Sequence, residues 1–275
     1  MAANSLSITY ADLLDLLDLP EPQCLSDDIE EVLRISNNLK GLERSRWLLA
    51  TDRFRSWARH LEQRADLILI NGHLSEVLTG KISALSVIVA LIASMRKEQQ
   101  FVVLHHFCGL HSRLNDTASG PRGMVWSLCS QLVLLLTQQK KEVVYFPGMN
   151  DAFLEDIGRH DFFALCLLFE ALFYQFDERL TVYCVLDNIS EFETSMGGWS
   201  SDLSEFVGVL QRIAGEEAQG PILKVLMTAP HKSIQIYRQL ELESQISLCA
   251  GNFSSHSTQR LAFSDDMQRA MSHYA

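Results

Sequence analysis

The sequence has little positive charge and no hydrophobic run long enough to cross a membrane. It carries 23 Lys and Arg residues against 34 Asp and Glu residues, so its formal net charge is −11. A chain of that sign is not expected to bind nucleic acid in general, because phosphate binding needs cationic side chains. The longest apolar-rich run without a charge, residues 82–95, is shorter than the roughly 20 residues that span a bilayer, and it predicts a buried helix.

The sequence also lacks a disulfide pattern and a secretory signal. Its six cysteines are scattered, and most lie inside apolar runs, which is typical of reduced and buried thiols. Residues 1–10 contain no basic region and no apolar core. We therefore expect a cytoplasmic protein without a membrane partner. Its 47% hydrophobic and 21% charged residues are enough to build a large core.

The first 33 residues contain eight acidic residues and no Lys, Arg or His. Within them, residues 12–19 could form a short amphipathic helix that ends at the prolines which follow. This segment has two interpretations, a docking peptide for a partner or a solvated and partly disordered leader. Its charge and its short length favour the leader.

Residues 27–64 show helical patterns, with Asp27 and Asp28 as the expected capping residues. The arginines of this part of the chain are Arg44, Arg46, Arg53, Arg55, Arg59 and Arg64. They could form a phosphate-facing patch, although solvated helix faces explain them more simply. We divide the chain into an acidic leader with a helical extension (1–44), a main domain (45–250) and a polar tail (251–275).

From residue 66 onward, short apolar strands alternate with helices. The predicted strands are 67–70, 101–107, 180–186, 222–229 and 245–249, and the predicted helices are 82–95, 121–139, 161–176, 201–214 and 231–240. Strands that alternate with helices predict a parallel sheet that is covered on both faces. The sequence therefore predicts a three-layer α/β fold with a five-stranded, mainly parallel sheet and an N-terminal helical extension.

Two carboxylates follow the third predicted strand. Asp187 comes directly after the apolar run 180–186, and Glu191 comes four residues later. A buried parallel strand that ends in a carboxylate brings this charge to the carboxyl edge of the sheet. In P-loop nucleotidases, an Asp in this place helps to hold Mg²⁺. A glycosidase pair is the less suitable interpretation, because both acids follow one strand in one loop.

An incomplete phosphate-binding loop follows the first predicted strand. A working loop reads G-x-x-x-x-G-K-[ST], in which backbone N–H groups surround the phosphates, Lys reaches them and the hydroxyl binds Mg²⁺. Here seven residues separate Gly72 from Gly80, Lys81 follows, and Ile82 takes the hydroxyl position. Ser83 comes one residue late, which on a helix is a rotation of about 100°. The pattern favours a relic loop over intact phosphate binding.

The order of these segments resembles the NACHT-type NTPase module of fungal signalling proteins, which belong to the STAND class of P-loop ATPases. The resemblance covers about residues 45–250. It rests on the strand–loop–GK–helix order and on FVVLHHFCGLH, GPRGMVWSLCSQLV, LTVYCVLDNISEFE and LKVLMTAP. It implies a P-loop NTPase-like fold, ATP or GTP with Mg²⁺ as cofactor, and oligomerisation that the nucleotide controls.

The resemblance also implies roles for individual residues. The cofactor-binding residues would be Gly72, Gly80, Lys81, Ser83 and Thr228. Among them Lys81 would contact phosphate and Thr228 would sense the γ-phosphate. Asp187 would bind Mg²⁺ as the metal residue, and Glu191 would polarise the attacking water as the catalytic residue.

The chain departs from the pattern of that family in three places. The phosphate loop is too long and lacks its hydroxyl at Ile82. Ser190 stands where the family has the second Asp of D-x-x-D-E, and Ala229 and Pro230 follow Thr228 where the family has an Arg. Phosphoryl transfer needs positioning and charge neutralisation together, so these departures favour a pseudo-NTPase.

A histidine-rich strand end could indicate a metal site. The residues are His105, His106, Cys108 and His111. Consecutive strand residues point to opposite faces, so only His106, Cys108 and His111 could meet, and their spacing fits no common zinc site. A packed strand end is the favoured interpretation. A cysteine nucleophile is also disfavoured, because the cysteines lie in apolar surroundings.

Three functions follow from these observations. We favour a NACHT-like module with a degraded nucleotide site that acts as an intracellular interaction or regulatory protein and binds a protein partner. The second is an ATP- or GTP-dependent switch that keeps slow hydrolysis. The third is an inert fragment of a larger receptor, because the lid domain and the sensor repeats of such receptors are missing from the sequence.

Overall fold

The computed structural model describes residues 5–18, 23–35, 42–58, 64–74, 82–94, 101–139, 143–147, 150–216 and 220–249. The strands are β1 (Ser5–Thr9), β2 (Asp66–Asn71), β3 (Phe101–Phe107), β4 (Val143–Pro147), β5 (Thr181–Asp187), β6 (Ile222–Ala229) and β7 (Gln245–Ser247). The helices are α1 (Tyr10–Leu16), α2 (Gln23–Ile35), α3 (Leu42–Ala50), α4 (Asp52–Ala58), α5 (Ala84–Ala93), α6 (Gly120–Gln138), α7 (Asp151–Gly158), α8 (Phe162–Phe173), α9 (Trp199–Gly215) and α10 (Gln235–Gln239).

A five-stranded parallel sheet forms the centre of the molecule, in the order β3-β5-β6-β2-β7. This confirms the predicted α/β fold with helices on both faces. β3 and β6 have the predicted bounds, and β2 and β5 differ from theirs by one residue at either end. These strands could be predicted because they are buried on both faces, so most of their residues are apolar.

The helices divide between the two faces of this sheet. Buried side chains of α2, α3, α4 and α5 form one core with one face, and those of α1, α6, α7, α8, α9 and α10 form another core with the opposite face. The connection after β2 therefore leaves toward one face, whereas the connection after its neighbour β6 leaves toward the other. In open α/β sheets, ligands bind at the carboxyl ends of strands where connections part in this way.

The N-terminal segment differs from the prediction. β1 pairs antiparallel with β4, and neither strand was predicted. In α1 and directly after it, Leu13 and Leu17 are completely buried in the main core, and the indole N–H of Trp126 donates to the carbonyl of Leu17 at 2.7 Å. The prediction of a solvated leader is therefore wrong for residues 5–18. The reason is that Leu13 and Leu17 lie one turn apart on one side, while the acidic residues of this segment lie on the other.

Several smaller predictions have clear outcomes. Asp27 and Asp28 do not cap a helix, because α2 begins at Gln23 and both lie inside it. The helix predicted at 231–240 is limited to α10, since the preceding residues pair with the end of β2. Of the five cysteines whose side chains the structure describes, four are buried and all are free thiols.

The remaining predictions concern membrane-spanning helices and residues that lie outside the described ranges. None of the helices within the described ranges is long and apolar enough to span a membrane. Gly80, Lys81 and the polar tail 251–275 lie outside the described residues.

Candidate functional site

Asp187 ends β5 at the carboxyl edge of the sheet, beside the end of β6. Its side chain lies on the face that carries α5 and is only 2% exposed. The hydroxyl of Thr228 donates to Asp187 Oδ1 at 2.6 Å. Thr228 Oγ1 also accepts a hydrogen bond from the backbone N–H of Asn188 at 2.9 Å. Ser86 of α5 also hydrogen-bonds the carboxylate. The structure thus brings Asp187 and Thr228 into direct contact.

Burial controls the ionisation of Asp187. The pKa of its carboxyl is raised from 3.8 to about 6, because the effect of desolvation exceeds that of the hydrogen bonds from Ser86, Thr228 and the Asn188 N–H, which lower the pKa. These partners are all neutral. The carboxylate is therefore stabilised by dipoles alone in its present surroundings, and it is a group that gains from taking up a proton.

Ser83 and Ser86 form the start of α5. Ser83 is the N-cap and has an extended backbone, so it precedes the helix instead of lying on it. Its hydroxyl accepts from Leu85 N at 3.1 Å and from Ser86 N at 3.4 Å, while Ser86 Oγ accepts from Ser83 N at 2.9 Å. Ser86, which sequence reasoning missed, takes the contact with Asp187. The S-x-x-S spacing at the start of the helix was the signal for it.

The chain that leaves β2 is paired with the chain that leaves β6. Each of the first three N–H groups after β2 donates to a carbonyl of the opposite segment: Gly72 to Ala229 at 2.8 Å, His73 to His231 at 2.8 Å, and Leu74 to Pro230 at 2.9 Å. In addition, His231 Nδ1 is 2.8 Å from the carbonyl oxygen of Leu74. These residues occupy the place where the connections of β2 and β6 part. The beginning of the predicted phosphate loop is thus a short extension of the sheet.

This pairing leaves no room for a side chain at Gly72. A Cβ atom at this position would lie 2.7 Å from the carbonyl oxygen of Pro230 and 3.0 Å from Leu85 Cδ1. Asn71, just before it, is completely buried, and its Oδ1 accepts from the backbone N–H of Ser233 at 2.9 Å. Both residues therefore fix the end of β2 against the segment that follows β6.

Glu191 lies in a 3-10 turn, Ile189–Phe192, that follows Asp187. The turn begins after Asn188, which has a left-handed backbone with φ 55°. Asn188 Nδ2 is 3.5 Å from Glu191 Oε1, and Ser190 Oγ donates to Asn188 Oδ1 at 2.9 Å. The predicted catalytic glutamate is therefore half-buried and close to Asn188, in the same loop as Asp187.

Glu193 makes the contacts that sequence reasoning missed. It accepts a hydrogen bond from Ser233 Oγ at 2.6 Å and from three backbone N–H groups, those of Ile234 (2.8 Å), Gln235 (3.1 Å) and Ile236 (2.9 Å). α10 has five residues, and most of its first N–H groups thus end on one carboxylate. About forty residues separate these partners, so no local pattern announces the contact.

The histidine-rich strand end is a packed cluster. The rings of His106 and His111 lie 5.0 Å apart, and His105 points to the other face, as predicted. His111 Nδ1 is 2.7 Å from Asp116 Oδ2 and its Nε2 is 2.8 Å from Asp28 Oδ2, so both ring nitrogens are used. Within the described ranges, no group of His, Cys, Asp and Glu side chains could hold a metal ion.

Charge and burial shift the pKa values of His106 and His111 in opposite directions. Burial lowers the pKa of His106 well below its ordinary value, with smaller contributions from the neighbouring His111 and His105. Burial also lowers the pKa of His111, but the hydrogen bonds and charges of Asp28 and Asp116 outweigh this and leave it raised. Through its contact with Asp28, His111 joins α2 to the carboxyl edge of the sheet.

Comparison with known proteins gives one result. A family model described as Nephrocystin 3, N-terminal, matches residues 43–229, which is more than half of the chain. The match begins at α3 and ends at the last residue of β6, so it includes β2, β3, β5 and β6 with Asp187 and Thr228. No curated protein and no solved structure matches the chain.

Proposed function

Because the chain belongs to the Nephrocystin 3 N-terminal family, a NACHT-associated family, we propose that it is an interaction or regulatory module whose nucleotide site is degraded. The module would act on a protein partner in the cytoplasm. The family and the parallel α/β sheet support the coarse part of this proposal. The finer part rests on the geometry at the carboxyl edge.

The pairing of the β2 and β6 segments is the observation that carries the proposal. A phosphate loop binds its ligand through backbone N–H groups that point into an open space. Here the N–H groups of Gly72, His73 and Leu74 already donate to carbonyl oxygens, and the carbonyl of Pro230 packs closely against Gly72. A nucleotide would have to break these bonds before it could use the same donors.

The described residues also fit Mg²⁺ poorly. A magnesium ion needs carboxylate oxygens that are accessible to it and to its water ligands. Asp187 is nearly completely buried and accepts hydrogen bonds from Thr228 and Ser86 instead. Thr228 in turn donates to Asp187, so its hydroxyl is not directed at a γ-phosphate. We derive no hydrolytic step from this arrangement.

Isothermal titration with Mg·ATP and Mg·GTP tests the proposal. We expect no saturable heat at millimolar nucleotide, for the parent chain and for Lys81→Ala alike. Lys232→Ala is the matched control for the loss of one lysine, and circular dichroism verifies that each protein is folded. Saturable binding that is lost in Lys81→Ala and kept in Lys232→Ala would overturn the proposal.

A nucleotide-dependent switch is the second candidate, and one observation favours it. Asp187, Thr228 and the start of α5 meet at the carboxyl edge of the sheet, which is the edge at which α/β folds bind their ligands. In this case Gly72, Gly80 and Lys81 would open into a phosphate site when nucleotide binds. Phosphate release from ATP that is abolished by Glu191→Gln, together with nucleotide-dependent oligomerisation in ultracentrifugation, would support the switch.

A further inference from the structure

Two helices on the surface, α8 and α9, lie side by side in parallel. Glu170 of α8 pairs with Arg212 of α9 at 2.7 Å, and Tyr174 OH donates to Glu216 at 2.5 Å. Both pairs join residues that are 42 positions apart. A constant separation means that the helices keep one register, with their N-terminal ends together.

The N-terminal half of this helix pair exposes apolar side chains. Phe163 is 63% exposed and Leu167 is 48% exposed, and they lie one turn apart on α8. On the other side of α9, Ile234 is 64% exposed at the start of the α10 segment. Large exposed apolar side chains that are grouped in this way mark interaction sites more often than single ones do.

Carboxylates border the apolar pair. By the same separation of 42 positions, Glu205 of α9 lies level with Phe163 of α8. Cys166, on the next turn of α8, lies close to Glu205 and Asp202, because both carboxylates raise the pKa of its thiol in addition to the larger effect of burial. The N-cap residue Asp161 acts on the same thiol in the same direction. Arg212 acts on the same thiol in the opposite direction, but it is ion-paired with Glu170. Carboxylates therefore outnumber this paired cation around the apolar pair.

A polar groove of about 670 Å³ lies along the other side of α9, between this helix and α10. The residues that line it are Ser201, Ser204, Glu205, Gly208, Arg212, Gln235 and Gln239. Hydrogen bonds join its two walls: Ser204 Oγ donates to Gln239 Oε1 at 2.7 Å, and Gln239 Nε2 donates to Ser204 O at 3.0 Å. Glu205 belongs to both the groove and the border of the apolar pair, so the two form one continuous surface.

We propose that this surface, formed by Phe163, Leu167, Asp202 and Glu205 together with the α9–α10 groove, is the docking site for a basic amphipathic helix of a protein partner. The proposal deepens the proposed function, on which it rests, because it gives the interaction module a surface and a class of partner. Apolar side chains of the partner would pack on Phe163 and Leu167, and its Lys or Arg side chains would pair with Asp202 and Glu205.

The charge of the docking site determines which partner fits it. A second copy of this chain would bring the same carboxylates, on a molecule of net charge −11, against each other. A basic helix meets the opposite sign. Two anchors one turn apart also match the i, i+4 spacing with which an amphipathic helix presents its apolar side.

Binding of two designed peptides to the full chain tests the docking site. The first is a fluorescein-labelled helix of about 18 residues, or five turns, with Leu on one face and Lys on its borders; the second has Glu in place of each Lys. Fluorescence anisotropy measures the affinity of each peptide. We expect the basic peptide to bind at least tenfold more tightly than the acidic one, and we expect its binding to weaken with salt.

Variants of the chain separate this surface from general attraction to an acidic protein. Phe163→Ser with Leu167→Ser should weaken the basic peptide about tenfold or more, since central apolar anchors carry most of the binding energy. Glu205→Lys should weaken it as well. Leu114→Ser is the matched control, because Leu114 is 71% exposed and lies in the loop before α6.

Three results would overturn the docking site. The first is equal affinity for both peptides, and the second is equal loss of binding in Leu114→Ser and in the double variant. The third is a concentration-dependent dimer that the double variant abolishes, which would show that a second copy occupies the surface. Saturable Mg·ATP binding would instead overturn the proposed function and would leave these peptide results as they are.

Discussion

At the scale of single residues, burial determines what Asp187 and Gly72 do. A carboxylate at the end of a central strand has the position of a metal ligand, but its solvation and its partners decide whether it can act as one. Asp187 is bound by Thr228 and Ser86, and Gly72 is packed against Pro230. Both residues lie where the sequence pattern places them, and both make their contacts within the protein.

The stability of the Asp187→Asn variant should increase relative to that of the parent protein as the pH rises. The pKa of Asp187 is about 6 in the folded protein against the ordinary 3.8, so the folded state binds the proton more tightly. The stability that this proton contributes is complete below pH 3.8 and is lost as the pH rises through about 6. Asn does not titrate, so between pH 4 and pH 8 the free energy of unfolding of the variant should rise relative to the parent by about 2–3 kcal/mol.

Urea unfolding at several pH values measures this difference. Asp52→Asn is the control, because its side chain is fully exposed. A flat difference between parent and Asp187→Asn from pH 4 to pH 8 would contradict the assigned burial of this carboxyl.

Gly72→Ala should destabilise the protein by about 1–3 kcal/mol, because the new methyl group would have to displace the backbone carbonyl of Pro230. Gly215→Ala is the matched control: it lies at the end of α9, and a Cβ there meets nothing within 4 Å. Thermal unfolding of both variants measures the effect. Equal midpoints would mean that the β2 and β6 segments are not paired as described.

At the scale of elements, the loops after β5 and β6 depend on one carboxylate. α10 has only five residues, and a helix of this length is not stable by itself. Glu193 accepts hydrogen bonds from the N–H groups at the start of α10. The same contact joins the turn that contains Glu191 to the wall of the α9–α10 groove. Glu193 therefore links the two loops directly.

Glu193→Gln should loosen α10, because Gln keeps the shape but loses the charge that strengthens these hydrogen bonds. We expect a loss of about 1–2 kcal/mol in unfolding free energy. Faster amide hydrogen exchange should be confined to residues 233–239. Glu191→Gln is the matched control from the same turn, and an equal effect of both changes would contradict the special role of Glu193.

At the scale of the whole molecule, the acidic N-terminal segment is a part of the core. β1 pairs with β4, and α1 with the residue after it buries Tyr10, Leu13 and Leu17 against helices of the main domain. Negative charge is expensive only where it is buried, and here it lies on the solvent side of α1. A charge count over a segment therefore says little about whether one face of it is packed.

Leu13→Ala should cost about 2–5 kcal/mol, because Leu13 is fully buried and the cavity cannot close. Leu242→Ala should cost little, since that side chain is 78% exposed. Chemical denaturation of the two variants compares them directly. If Leu13→Ala were as mild as Leu242→Ala, the N-terminal segment would not belong to the core.

The central sheet was predictable from the sequence for a physical reason. The central parallel strands are buried on both faces, so most of their residues are apolar, and a run such as 222–229 indicates its own bounds although it includes Lys224 and Thr228. Gly72, Asp187 and Thr228 could be placed at one edge because the carboxyl ends of parallel strands meet there. β1 and β4 could not be found in the same way, because they are short and depend on each other.

The sequence by itself determined the α/β fold, the edge at which Asp187 and Thr228 meet, and the absence of an intact phosphate-loop motif. Local patterns encode these features, because the periodicity of a strand or helix and the spacing of a motif are properties of neighbouring residues. The tertiary structure alone decided that the β2 and β6 segments pair, that Ser86 reaches Asp187, and that Glu193 holds α10. Those contacts join residues far apart in the chain, and their strength depends on burial, which is settled only when the whole chain has folded.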